Sequence, residues 1–205
     1  MRYDLPARRL WPHDEPTHVI IVGGGASGVL LAVHLLRQAV VPFKVTLIEK
    51  RADVGRGLAY CTSNPEHLLN VRVSNMSAFP EDPDHFWGWL HARHGGVDIG
   101  GGFPLSKPSN YFAPRQLYGE YIAGLVEPLL SRSGQLSCLN VIRNECVSVS
   151  EEPHGAIVRL NDGSSLQGDF VVLATGHERP TISGEFCADP WLNLRGQKSH
   201  QTIGY

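Results

Sequence analysis

Apolar residues fall along this chain in distinct kinds of run. Val19–Val22 is a four-residue β-branched run, Lys44–Glu49 is a second mainly apolar run, and Phe170–Ala174 is a short, wholly apolar one. Runs of this kind suit strands covered on both faces, and Phe170–Ala174 reads as a central strand of a parallel sheet. Between the first two lie Val29, Leu30, Ala32, Val33, Leu35 and Leu36, the pattern of a helix that is covered on most sides. Leu117, Tyr121, Leu125 and Leu129 recur at i+4, so Ala113-Pro114 opens a helix from Arg115 to about Leu130. Asp82-Pro83-Asp84 starts a further helix that reaches about His94. Leu139–Ile142, Cys146–Ser150 and Gly155–Leu160 read as the strands of a three-stranded meander, and Asn161-Asp162-Gly163 supplies the positive-φ positions of a tight hairpin turn. Gly95–Asn110 is rich in glycine and should be an exposed loop.

The join between the first strand and the first helix carries chemistry. It reads Val22-Gly23-Gly24-Gly25-Ala26-Ser27-Gly28. Gly23 permits a tight turn, Gly25 lets the backbone approach a pyrophosphate, and Gly28 lets helix and strand pack closely. The first amides of the helix, with its dipole, then favour phosphate. Glu49 closes the next strand, about 20 residues beyond the last glycine, where a carboxylate accepts from ribose hydroxyls and repels a 2′-phosphate. The pattern therefore predicts an α/β, Rossmann-like dinucleotide-binding domain that takes FAD or NAD rather than NADP.

Composition narrows the field without adding to it. With 205 residues, 42 % apolar content and a formal net charge of −2, nothing points to nucleic acid or an anionic membrane as partner. No apolar run is long enough to cross a bilayer, and Met1–His18 lacks the apolar centre of a secretory signal, so a cytoplasmic location is expected. Cys61, Cys138, Cys146 and Cys187 include no Cys-x-x-Cys pair, and they read as single buried thiols rather than a redox disulfide or a zinc site. His85, His91 and His94 fit the polar face of a short helix ending in solvent, not a metal site.

A βαβ unit, intervening helices, a meander and a strand ending in Ala174-Thr175-Gly176 is the layout of FAD domains in two-dinucleotide flavoproteins. At this point the chain resembles the N-terminal half of the FAD/NAD(P)-binding family of bacterial flavoproteins, themselves distant relatives of flavin-dependent N-hydroxylating monooxygenases. The resemblance is carried by Gly55-Arg56-Gly57-Leu58-Ala59-Tyr60, by His67–Val71 and Met76–Pro80, and by Asp84–Leu90 and Pro114–Gly119. It implies that Gly23, Gly25, Ala26, Ser27 and Gly28 hold the pyrophosphate, and that Glu49 with Lys50 holds the adenosine ribose. Cys146-Val147 would lie at the adenine. Gly57, Leu58, Ala59, Tyr60, Asn70 and Val71 would lie near the flavin, and Ala174, Thr175 and Gly176 would close over the cofactor. Tyr60, Asn70 and His177 are the polar candidates beside the flavin, but no residue stands out as an obligatory acid or base.

The family pattern continues into a second strand–Gly-x-Gly-x-x-Gly–helix unit for NAD(P)H, the co-substrate of the full-length form. Pro180–Tyr205 is polar and poor in apolar periodicity, so the expected organisation is a truncated two-dinucleotide flavoprotein. It has a leader at residues 1–16, an FAD-binding domain at residues 17–180 and an incomplete continuation at residues 181–205. The expected activity is that of a monooxygenase-like oxidoreductase acting on a small molecule. The competing reading is a non-catalytic dinucleotide-binding module, or half of a split flavoprotein that self-associates or awaits its C-terminal half. A simple NAD-dependent dehydrogenase fits the first 50 residues but not the meander and the Ala-Thr-Gly ending.

Overall fold

The computed structural model describes residues 16–94, 111–130 and 137–176. The tail, the leader apart from Pro16, the loop at residues 95–110, Cys187 and His177 lie outside the described residues.

β1 (Thr17–Val22) runs into α1 (Ala26–Arg37) and returns in β2 (Phe43–Glu49). After an irregular stretch come α2 (His85–His94), α3 (Arg115–Gly124) and α4 (Glu127–Leu130). Strands β3 (Cys138–Arg143), β4 (Cys146–Glu152), β5 (Gly155–Leu160), β6 (Ser165–Gly168) and β7 (Phe170–Leu173) complete the order. A four-stranded sheet has the order β3-β2-β1-β7, with every pair parallel. A second, antiparallel sheet has the order β4-β5-β6.

The unbroken apolar run of β1 follows from this layering. Val19 and Ile21 join the core on the helical side with Val29, Ala32 and Val33 of α1, while Ile20 and Val22 pack with Val158 and Leu160 of the meander. Alternate residues of a strand face opposite sides, so a strand sandwiched between two layers must be apolar throughout. Burying a side chain such as Ile20 or Ile21 contributes about 1.5–3 kcal/mol.

Five expectations are corrected. Leu139–Ile142 belongs to β3, which pairs with β2 in the parallel sheet and not with the meander; the third meander strand is Ser165–Gly168, joined to β5 through the turn at Asn161–Gly163. β7 is not central among the described residues: it pairs with β1 alone there, and Phe170 and Leu173 are exposed. The single helix expected over Arg115–Leu130 breaks after Gly124, where the Leu125 and Val126 amides turn back to Ile122 and Ala123. Pro128 has no amide hydrogen to continue α3, but it fits the first turn of α4. Cys61 is exposed and Cys138 and Cys146 are half-buried, so none of the three is the fully buried thiol expected. His85 is not a solvated helix-end residue, since its ring bonds the buried Tyr121.

Candidate functional site

The parallel sheet brings the carboxyl ends of β1, β2 and β7 to one edge, and the glycine turn lies there. Gly23 leaves β1 with φ +108°, and its N–H donates to Ile48 O at 2.8 Å. A side chain on Gly23 would overlap the Ala174 carbonyl oxygen, so the end of β7 packs on the turn. The Ala174 N–H donates to Val22 O at 2.8 Å and holds that end in place. A Cβ on Gly28 would overlap the Gly23 carbonyl oxygen, the close helix–strand approach expected of this position.

Helix α1 begins with its amides available. Its cap, Gly25, contributes no side-chain hydrogen bond, and its first turn contains no acidic residue. The Val29 N–H closes the first helical bond on Gly25 O at 3.0 Å. The amides of Ala26, Ser27 and Gly28 precede that bond, so an anion can take them. This donor set fits a pyrophosphate.

Glu49 is buried at the tip of β2 and is turned toward the glycines. Its Oε2 accepts the Gly24 N–H at 2.8 Å, and its Oε1 accepts the Arg51 N–H at 2.9 Å. Each carboxylate oxygen has a further lone pair for a ribose hydroxyl. Lys50 points elsewhere, pairing with Glu145 at 2.7 Å on the exposed rim. That ion pair ties the end of β2 to the residue before Cys146 and the exposed Val147.

The irregular stretch after β2 folds back over the turn. The Gly55 N–H donates to Gly24 O at 2.7 Å, and a Cβ on Gly57 would lie 3.2 Å from Gly25 Cα. The space beside Gly25 is therefore taken up in part by the Gly57 backbone. Leu58 and Ala59 lead to Tyr60, whose ring packs edge-on against Tyr118 at 4.8 Å and whose backbone abuts Gly119 of α3. Burial pushes the Tyr60 phenol up from its usual pKa, with Arg115 opposing the shift. Asn70 and Val71 are exposed, on a loop pinned by Leu69 N–H to Ala113 O at 2.8 Å and Val73 N–H to Tyr111 O at 2.9 Å. They are positioned by this pairing and not by the glycine turn. Thr175 and Gly176 are exposed beyond Ala174.

Gly23–Gly28, Glu49, Gly57 and Ala174 thus converge. Sequence reasoning quoted Gly24, Gly55 and Gly119 within longer motifs but gave none of them a role of its own; Gly24 packs on the Glu49 side chain, Gly55 on the Ala123 backbone and Gly119 on the Tyr60 carbonyl. Three consecutive glycines, one more than the turn requires, were the available signal for Gly24.

Comparison with known proteins identifies the family and the fold. The FAD-NAD(P)-binding family matches residues 20–178. The FAD-dependent monooxygenase sor5 of Hypocrea jecorina (strain QM6a) is 30% identical over 196 residues, covering 92% of this chain and 40% of that protein. The open crystal structure of cyclohexanone monooxygenase superposes with a TM-score of 0.53 at 16% identity, over 79% of this chain and 27% of that one. A flavin-containing monooxygenase from Stenotrophomonas maltophilia gives a TM-score of 0.49 at 18% identity, over 78% of this chain and 38% of its own. The chain therefore spans under half the length of these relatives. No helix among the described residues is long and apolar enough to cross a membrane. With a match running through the glycine turn, the Glu49 strand and the Ala174–Gly176 ending, the chain belongs to the FAD-NAD(P)-binding family.

Proposed function

We propose that this chain is the FAD-binding portion of a monooxygenase-like flavin oxidoreductase whose full-length form uses NAD(P)H. The observation that carries the reading is the convergence of an uncapped helix N-terminus, the Glu49 carboxylate and the Ala174 backbone on one glycine turn. The amides of Ala26, Ser27 and Gly28 bind the pyrophosphate, and Glu49 orients the adenosine ribose while keeping the turn in shape. Tyr60, Asn70 and the Ala174–Gly176 segment lie toward the flavin end. When bound, the isoalloxazine supplies the hydride and electron chemistry, and the protein supplies position and electrostatics.

A second reading, a dinucleotide-binding module without catalysis of its own, has one observation in its favour. Among the described residues, Gly23–Gly28 is the one glycine turn that leads from a parallel strand into a helix. Hydride transfer needs the nicotinamide held about 3–3.5 Å from the flavin, which calls for a second nucleotide site. The test is stopped-flow reduction of the FAD-loaded chain by NADH and NADPH beside free FAD. Saturable reduction faster than that of free FAD supports an oxidoreductase within these 205 residues. Reduction no faster than free FAD, with FAD still bound, assigns the chain a binding role.

A further inference from the structure

Behind the cradle, beyond Tyr60, lies a group of rings to which the proposed cofactor site gives no role. Tyr121 is fully buried, and its hydroxyl oxygen accepts the Ala78 N–H at 3.0 Å. A phenol has a single hydrogen to donate, and His85 Nδ1 lies 2.7 Å from the Tyr121 oxygen. Ser77 is also near this hydroxyl, but its own hydrogen is directed to backbone carbonyls, with Asp82 O at 2.6 Å. A hydrogen bond of 2.7 Å lies within the range over which a positioned base takes a proton.

Aromatic rings connect this pair in two directions. Toward the cradle, Tyr121 lies 5.8 Å from Tyr118, and Tyr118 lies 4.8 Å from Tyr60. Outward, Tyr121 lies 5.7 Å from the half-buried Trp89, whose ring carries the Arg93 guanidinium at 5.4 Å. Phe86 fills the space between, 4.7 Å from Tyr121 and 5.2 Å from Tyr118. Every member of the track except Phe86 is oxidisable, and electrons pass readily between rings in contact.

We propose that Tyr121 and His85 form a proton-coupled redox pair, joined through Tyr118 to Tyr60 and outward to Trp89, that draws one-electron oxidising equivalents away from the cradle. In the step, a one-electron oxidant such as a photoexcited flavin removes one electron from the Tyr121 phenol through the intervening rings. The phenolic O–H bond breaks and its proton passes to His85 Nδ1, leaving a neutral phenoxyl radical and an imidazolium. The oxidant is reduced by one equivalent, and return of one electron with that proton restores the pair. The Tyr60 end of the track rests on the cofactor reading above; the Tyr121–His85 pair does not.

The test uses azidyl radicals, generated by pulse radiolysis, on the full chain without added flavin. A long-lived component of the tyrosyl absorption is expected, and Tyr121→Phe should lose that component while the short-lived signal of the other tyrosines remains. In His85→Asn, which keeps an acceptor near the Nδ1 position but offers no base, formation of the long-lived component should slow by at least about tenfold. The parent should form it more slowly in heavy water than in ordinary water, and His85→Asn should lose that slowing. Circular dichroism checks the fold of both variants, and His85→Asn decides the matter if Tyr121→Phe does not fold. An unchanged tyrosyl signal in Tyr121→Phe, or unchanged kinetics in His85→Asn, overturns the pair. A second arm measures the fluorescence lifetime of bound FAD, which Tyr60→Phe should lengthen; an unchanged lifetime overturns the link to the cradle. Failure to bind FAD counts against the cofactor reading and against that link, while the first arm still decides the pair.

Discussion

Glu49 holds Gly24: the buried carboxylate accepts the Gly24 amide at 2.8 Å and, through its other oxygen, the Arg51 amide at 2.9 Å. One side chain at the end of β2 thereby shapes the turn at the end of β1. On the proposed reading its role is double, since the remaining lone pairs of the same oxygens would also accept from a ribose hydroxyl.

Glu49→Ala should therefore weaken both binding and folding. Loss of charge-assisted acceptors costs about 1–3 kcal/mol in FAD affinity. The Gly24 and Arg51 amides lose their partner as well, so the melting temperature of the FAD-free chain should fall. Calorimetry and thermal melts separate the two effects. Unchanged affinity would remove Glu49 from the nucleotide site, and an unchanged melt would remove it from the turn.

Three Gly→Ala substitutions should rank by environment. In an ordinary helix interior, Gly→Ala is favourable by about 1 kcal/mol. At Gly28 the added methyl would overlap the Gly23 carbonyl, so the sign reverses and the loss should be about 3 kcal/mol or more. Gly57→Ala combines φ +53° with a 3.2 Å approach to Gly25 Cα, whereas Gly163 has φ +85° and nothing near it. Left-handed strain alone costs about 1–2 kcal/mol, so Gly163→Ala should be the mildest. Denaturant unfolding of the three variants gives the order, and a Gly28→Ala chain as stable as the parent would contradict the packing argument.

His18 should make stability depend on pH. Its backbone N–H donates to Asp169 Oδ2 at 2.8 Å, its ring Nδ1 lies 2.9 Å from Gln167 O, and its ring Nε2 lies 2.8 Å from Thr46 Oγ1. Burial, reinforced by Lys44, holds the ring below its usual pKa, so the folded state favours neutral imidazole. The unfolded chain binds the proton more readily. Stability from this group is complete above the ordinary histidine value of about 6.5 and is lost as pH falls through it toward the folded value. Thermal melts of the parent and His18→Gln from pH 8 down to pH 5 should converge as acid is approached. Parallel curves would contradict the assignment.

The open side of β7 should promote association. Phe170 is 53% and Leu173 65% exposed on a strand with one sheet neighbour among the described residues. An exposed apolar edge strand invites pairing with another chain, and lysine suppresses it. Sedimentation should reveal species larger than the monomer at micromolar concentrations, shifting toward monomer in Phe170→Lys. A parent chain that stays monomeric at all concentrations would contradict this expectation.

Local pattern made the βαβ opening legible, because Val19–Val22, the glycines and Lys44–Glu49 each have one physical use. Leu139–Ile142 was harder: a short apolar run fits either sheet, and only tertiary pairing with β2 decides. β7 read as central because its residues are all apolar, yet composition does not say what stands beside a strand. Of the candidate site, Gly23, Gly28 and Glu49 could be placed from spacing. The Gly55–Gly24 hydrogen bond and the Tyr121–His85 pair join segments distant in sequence, and no local pattern encodes them.

The central claim is tested most directly by titrating the purified chain with FAD and with NADP+, following flavin fluorescence and heat. The account predicts saturable binding of one FAD per chain, weakened in Glu49→Ala, with NADP+ at least about tenfold weaker because Glu49 repels a 2′-phosphate. A folded chain that takes up no FAD, or that prefers NADP+, would contradict it.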